Sequence, residues 1–256
     1  MEVNGKAYEL TTDSQGNFNK TFEHDQLSTL KIKTLSGQTL PIVQSYPIFF
    51  PEPEKNISVI TDVDDTVLIS NTLTATKRIG KILFVSPHKR EQIHFSKTIL
   101  NTVEKNGGRI FYVSKSESNL FGLLTCYILT NGFPKGPLFL SGFKNITTLL
   151  FQKKPKTVKL TKIEQLLKQS PDKKFILLGD DTQKDIYIYT TLAKKFSGQI
   201  LKIYIHQTRK KPLKMRSKET EALKGCQIPV LFFNKSSEIK KELNFINEIF
   251  KDEGDD

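Results

Sequence analysis

"KFILLGDDTQKDIYIYTTLAKKFSGQILKIYI", Lys174–Ile205, decides the fold. It opens on a short apolar run, passes into a helix-like segment from Asp185, halts at Ser197-Gly198 and closes on a second apolar run. Strand, helix, Gly stop and strand within about 30 residues is the length of one βαβ unit. Short apolar runs without alternation read as strands buried on both faces. Working outward, "ISVITDV" (57–63), "RIFYVS" (109–114) and "IPVLFF" (228–233) are of the same kind. Helix-like segments lie between and after them: "REQIHFSKTILNTVEKNGG", "NLFGLLTCYILTNG", "KIEQLLKQSPD" and "SSEIKKELNFINEIF". Strands alternating with helices predict an α/β domain with a mostly parallel sheet.

The first fifty residues read differently. "AYELTTD", "GNFNKTFE", "LSTLKIKTL" and "QTLPIVQSY" resemble short strands separated by the turn residues of "SQGN" and "SGQ". "PEPEK" breaks this pattern. The expected organisation is a small β-rich segment at 1–52, an α/β domain at 53–250 and an acidic, disordered tail at 251–256.

The 256 residues, 37% hydrophobic and 26% charged, fit an ordinary globular chain of one large domain with a small appendage. No run approaches the roughly 18 apolar residues of a membrane span, and "MEVNGKAYEL" lacks the pattern of a signal peptide. Cys126 and Cys226 sit in apolar stretches and read as buried free thiols, hence a reducing, cytoplasmic setting. A formal charge of +12 favours anionic partners. The lysines are scattered through "FQKKPKTVK" and "HQTRKKPLKMRSK", without a zinc-finger or basic-zipper pattern, and read as solvated loops. Nucleic acid is therefore not expected as a partner, and the sequence sets no oligomeric state.

In a parallel sheet the residues just past the strands line a common rim, where ligands bind near a switch in strand order. The first core strand ends in Asp62, Val63, Asp64, Asp65 and Thr66; the second ends in Ser114; the third ends in Asp180 and Asp181, with Asp185 beyond. Lys159 stands just before the helix leading into that third strand. Any one Asp after a strand is an ordinary turn or cap residue. Several carboxylates converging on one rim repel one another and raise each other's pKa, which a hard divalent ion such as Mg²⁺ relieves. There is no Gly-Xaa-Ser-Xaa-Gly elbow at Ser114, no phosphate-binding GxxxxGK loop, and no metal-ligand spacing among His24, His88, His94 and His206.

Asp-Xaa-Asp-Xaa-Thr after a strand, then Ser, Lys and Gly-Asp-Xaa₄-Asp in that order, resembles the haloacid dehalogenase superfamily. Within it the chain is most similar to the catalytic domain of the actin-patch-type phosphatidate phosphatases and their bacterial relatives. The likeness is carried by "VITDVDDTV", "FYVSKSESNLF", "NGFPKGPLFL", "VKLTKIEQLL" and "PDKKFILLGDDTQKDIYIY". The resemblance implies a Rossmann-like core and Mg²⁺-dependent phosphatase chemistry through an aspartyl-phosphate. It implies Asp62 as nucleophile and Asp64 as general acid–base. The metal would be held by Asp62, Asp64 through its carbonyl, Asp180 and Asp185, with Asp185 acting through water or by holding Lys159. Thr66, Ser114 and Lys159 would bind the substrate phosphate. Asp65 falls outside the pattern.

The departures lie where a substrate is read: Glu117-Ser118 in place of a Pro-Trp pair, and Ser141 and His206 where Arg is usual. The segments from Ser70 to Pro87 and "LSGFKNITTLLFQKKPKT" are short, so a small or absent cap and an open site are expected. With the positive charge, this implies a lipid phosphate at a membrane surface as substrate, with peripheral membrane contact. The alternatives are a phosphatase acting on nucleic-acid ends or soluble phosphomonoesters, and a non-catalytic protein that binds a phosphorylated ligand.

Overall fold

A computed structural model describes residues 1–12, 29–41, 46–47, 50, 52–63, 87–141, 156–181, 183–207, 217–233 and 239–253. They form two compact units, Met1–Glu52 and Pro53–Asp256. The first unit is a four-stranded antiparallel sheet of β1 (Glu2–Val3), β2 (Lys6–Ala7), β3 (Leu30–Lys33) and β4 (Thr39–Leu40), ordered β2-β1-β3-β4. Asn4 and Gly5, both at positive φ (48° and 79°), make the two-residue turn between β1 and β2. Asn-Gly suits such a turn because both positions need left-handed backbone. The first strand expected in this region, "AYELTTD", contributes only Ala7 to the sheet, because the hairpin turns earlier, at Asn4-Gly5. "GNFNKTFE" lies outside the described residues.

The second unit holds a six-stranded parallel sheet. Its elements in chain order are β5 (Ile57–Asp62), α1 (Pro87–Lys105), β6 (Arg109–Glu117), a 3₁₀ turn at Ser118–Leu120 and α2 (Phe121–Thr130). Then come β7 (Leu138–Ser141), α3 (Lys156–Gln169), β8 (Lys174–Asp180), α4 (Gln183–Lys195), β9 (Ile200–His206), α5 (Ser217–Lys224), β10 (Val230–Phe233) and α6 (Ile239–Asp252). The strand order is β10-β9-β8-β5-β6-β7. An α/β core with a mostly parallel sheet, as expected, is therefore present. Every residue of β5 is buried, as a central strand covered on both faces requires.

Two layers of helices cover the sheet. Ile163 and Leu167 of α3, Ile186, Leu192 and Ala193 of α4 and Leu223 of α5 pack with Ile203 and Ile205 of β9. The alternate residues of β9 face the other way: Tyr204 meets Phe95 of α1 edge-on, and its hydroxyl donates to Glu242 of α6 at 2.7 Å. Period-two alternation thus gives β9 one aliphatic face and one mixed face.

β7 and α5 were not expected. β7 is a four-residue edge strand of mostly intermediate burial, too short to show a pattern against its Pro and Gly neighbours. α5 begins at the end of the lysine-rich stretch read as loop, sharing only Ser217 and Lys218 with it, and Thr220 and Leu223 bury its inner face. Cys126 is exposed and Cys226 half-buried, which corrects the expectation of buried thiols, although both are free. Helix α2 buries Leu124, Thr125, Tyr127 and Ile128, and Cys126 falls on its other side. Helix α6 continues to Asp252, so the stretch expected as tail begins helical, and Glu253 accepts a hydrogen bond from the Asn56 N–H. Residues 64–86 and 142–155, where a cap was sought, lie outside the described residues.

Candidate functional site

The strand order reverses at β5: β6 and β7 follow on one side, β8, β9 and β10 on the other. A crevice opens at such a point, between the carboxyl ends of the two neighbouring strands. Asp62 is the last residue of β5, and Asp180 the last of β8. Because Thr61 pairs with Leu178, the register sets Asp180 just past the level of Asp62. Asp185 enters from the first turn of α4, where a carboxylate also favours the positive end of the helix.

Carboxylate oxygens of Asp62, Asp180 and Asp185 lie within 4.8 Å of one another, and all three residues are buried. Lys159 stands among them. Its Nζ is 2.7 Å from Oδ2 of Asp62 and donates to both oxygens of Asp185, at 2.8 and 2.9 Å. Burial alone would lower the Lys159 pKa; Asp185 and Asp62, with Tyr189, reverse this and hold it well above the usual lysine range. Lys159 therefore stays an ammonium. Contrary to the expected position just before a helix, it lies in the first turn of α3, which aims its stem at the sheet edge.

Three carboxylates against one ammonium leave a formal excess of two negative charges among the described residues. An excess of this kind in a buried place is costly unless a cation joins it. The oxygen donors and the size of the excess suit a hard divalent ion. Asp185 already spends both oxygens on Lys159, so Asp62 and Asp180 are the residues placed to touch such an ion directly.

Tyr189 and Gly179 belong to this arrangement, although neither was singled out from the sequence. Tyr189 follows Asp185 by four residues and therefore shares its helix face. Its ring centroid is 5.8 Å from Nζ of Lys159, and its hydroxyl donates to the Leu178 carbonyl at 2.9 Å. Burial pushes the Tyr189 phenol well up; the nearby ammonium opposes this, and the carboxylates add to it. Gly179 makes room: a Cβ there would stand 2.7 Å from the Tyr189 ring and hydroxyl and 2.9 Å from Asp185. The Asp185–Tyr189 spacing was a usable signal.

Ser114 lies on β6 one residue past Val113, the partner of Asp62, and is buried, with its Oγ accepting from the Ser116 N–H at 2.8 Å. Asp64, Asp65 and Thr66 lie outside the described residues. His206 is buried at the end of β9, its ring stacked on Phe233 at 5.3 Å, and it pairs in register with Asp180. The sequence marked it as a departure at a position where Arg is usual.

The family model for the catalytic domain of phosphatidate phosphatase APP1 matches residues 57–207. The chain belongs to that family. The APP1 catalytic domain is haloacid dehalogenase-like, in agreement with the four motifs. The chain is 33% identical over 203 residues to Phosphatidate phosphatase APP1 of Saccharomyces cerevisiae, covering 76% of this chain and 34% of the yeast protein. It is 23% identical over 190 residues to an uncharacterised protein of Schizosaccharomyces pombe, covering 72% of this chain and 31% of that protein. The chain thus spans about a third of the length of these curated relatives. Among solved structures, the PilB minor pilin of Streptococcus sanguinis overlaps 85% of this chain and 64% of its own at a TM-score of 0.41 and 10% identity, too low to argue from.

Proposed function

We propose that the second unit of this chain is a Mg²⁺-dependent phosphomonoesterase that works through an aspartyl-phosphate on Asp62 and acts on phosphatidate-type lipid phosphates. The observation that carries this reading is the buried Lys159–Asp62 ion pair, set among carboxylates at the switch point of the sheet. Lipid phosphate as substrate is supported by the printed name of the yeast relative and by the formal charge of +12.

Asp62 is suited to attack because a carboxylate is ionised at neutral pH and needs no base to activate it. Lys159 fixes its orientation by holding Oδ2. As the Asp62 oxygen–phosphorus bond forms, the ester bond breaks and the leaving alkoxide takes a proton from Asp64. Asp64 then removes a proton from water, which attacks the aspartyl-phosphate and releases inorganic phosphate. Proton transfer of this kind contributes about 10²–10⁴-fold. Asp62 and Asp180 would hold Mg²⁺, aided by the Asp64 carbonyl, while Asp185 keeps Lys159 in place. When bound, the ion screens the carboxylates from the phosphoryl oxygens and draws charge from the phosphorus. Ser114 and Thr66 hold the phosphoryl oxygens, and the Lys159 ammonium, whose N–H groups face Asp62 and Asp185, stabilises through its charge the negative charge that grows on them. No helix among the described residues is long and apolar enough to cross a membrane. The formal charge of +12 supports including in this reading a peripheral contact, at the cytoplasmic face, between this basic chain and an anionic bilayer.

The test is phosphate release from hexyl phosphate and from phosphatidate in vesicles, with Mg²⁺ and with chelator. Release from both that stops on chelation is the expected outcome. Release from the soluble ester alone would remove the lipid assignment, and no release from either would remove the enzyme.

A further inference from the structure

On the β6 side the rim continues to β7, where one charged group has no part in the reaction above. Lys162 follows Lys159 by three residues on α3, so the two share a face of the helix. Lys159 is ringed by carboxylates. Lys162 instead donates to the carbonyl of Leu140, the next-to-last residue of β7. Its ammonium is half-buried; burial lowers its pKa, and among the described residues no carboxylate pairs with it. Among the described residues the Leu140 carbonyl is its one hydrogen-bond partner. An ammonium has three N–H donors, so two remain for a ligand. A partly desolvated cation of this kind favours an anion beside it.

The register says where such an anion would sit. Asp62 pairs with Val113, and Val113 with Phe139, the last pair before the β6–β7 register shifts, so Leu140 follows Phe139 near the level of Asp62 and two strands away. Two strand spacings make about 10 Å. Ser114 stands on the strand between, so the proposed reacting centre, Ser114 and Lys162 follow one another along one rim.

We propose that Lys162 determines specificity at this site by binding a second anionic group, a phosphate or carboxylate, held about 10 Å from the phosphoryl group that Asp62 attacks. The proposal rests on the phosphatase reading. Two sources offer such a group: the substrate itself, or the headgroup of a neighbouring lipid in an anionic bilayer.

The test compares wild type, Lys162→Met, Lys162→Arg and, as a control from the exposed side of α3, Lys168→Met. In the soluble arm, kcat/KM is measured for hexane-1,6-diyl bisphosphate and for hexyl phosphate. In the vesicle arm, phosphatidate is presented in phosphatidylcholine with and without phosphatidylserine. Wild type is expected to favour the doubly anionic condition in at least one arm by about tenfold or more, through KM. Lys162→Met brings that ratio close to one, while Lys162→Arg and Lys168→Met keep it. A preference in the soluble arm assigns the second group to the substrate; one confined to vesicles assigns it to a neighbouring lipid. If Lys162→Met does not fold, Lys162→Gln reads the same ratio. Equal ratios in wild type and the charge-removed variant overturn the proposal. If wild type turns over no substrate, the phosphatase reading fails on its own. Calorimetric binding of hexane-1,6-bisphosphonate against hexylphosphonate, in Mg²⁺, then reads the Lys162 preference directly: its loss in Lys162→Met supports the proposal, and its persistence overturns it.

Discussion

Among its described residues the second unit buries carboxylates beside a lysine in two places, and the two differ in their balance. On the mixed face of β9, Glu242 accepts from the Tyr204 hydroxyl and pairs with Lys202, whose ammonium lies 4.3 Å from the Phe245 ring centroid. There one acid meets one cation and one neutral donor. Burial, the bond to Glu242 and its charge all push the Tyr204 phenol upward, so it remains a donor. At the strand ends, Lys159 faces three carboxylates. A balanced cluster can settle by itself and tie α6 to the sheet. An unbalanced one is costly as it stands and compatible with a divalent cation, and it lies at the switch point. The contrast separates a structural ion pair from a candidate site without reference to either residue's family.

Breaking the unbalanced cluster should have the largest effect. Lys159→Met leaves Asp62 and Asp185 buried without their cation and is expected to cost about 3–5 kcal/mol in urea unfolding at neutral pH. A loss below about 1 kcal/mol would mean that solvent reaches the cluster. Next, Mg²⁺ at a hundred times its dissociation constant should stabilise wild type by about 2.7 kcal/mol. In Asp180→Asn most of that gain should vanish, while the metal-free variant melts at or above the wild-type temperature because a repulsion is gone. Thermal melts with Mg²⁺ and with chelator check both halves. Gly179→Ala would press a methyl group against Tyr189 and Asp185 and should cost about 2 kcal/mol, together with phosphatase activity. The smallest effect is expected at the balanced pair. Glu242→Gln should cost about 1.5 kcal/mol, near the low end for a charged hydrogen bond, because the Lys202 side chain is 13% exposed and regains some hydration. Its kcat should match wild type; a fall would show that the two clusters communicate.

How legible these regions were in the sequence follows from the same physics. Short apolar runs without alternation at β5, β8 and β9 announce strands buried on both faces, and Asp62 and Asp180 close two of those strands. Lys159, Asp185 and Ser114 were legible by their order along the chain; the register of β5 and β6 sets Ser114 beside Asp62, and the Lys159 contacts bring Asp62 and Asp185 together from the helices. Gly179 and Tyr189 were not singled out, because a glycine's need for space appears only once its neighbours are in place. Glu242 was hidden for a similar reason: on α6 it looks like any surface acid, and only Tyr204 and Lys202 across the interface explain its burial. β7 is too short for its pattern to register, so Lys162 at its end could not be read from the sequence.

The account stands most directly on what happens at Asp62. Wild type mixed with substrate and Mg²⁺, quenched in acid during turnover and digested, should carry a phosphoryl group on the peptide containing Asp62. Asp62→Asn should show neither adduct nor turnover. A phosphoryl group on another residue, or turnover that persists in Asp62→Asn, would contradict it.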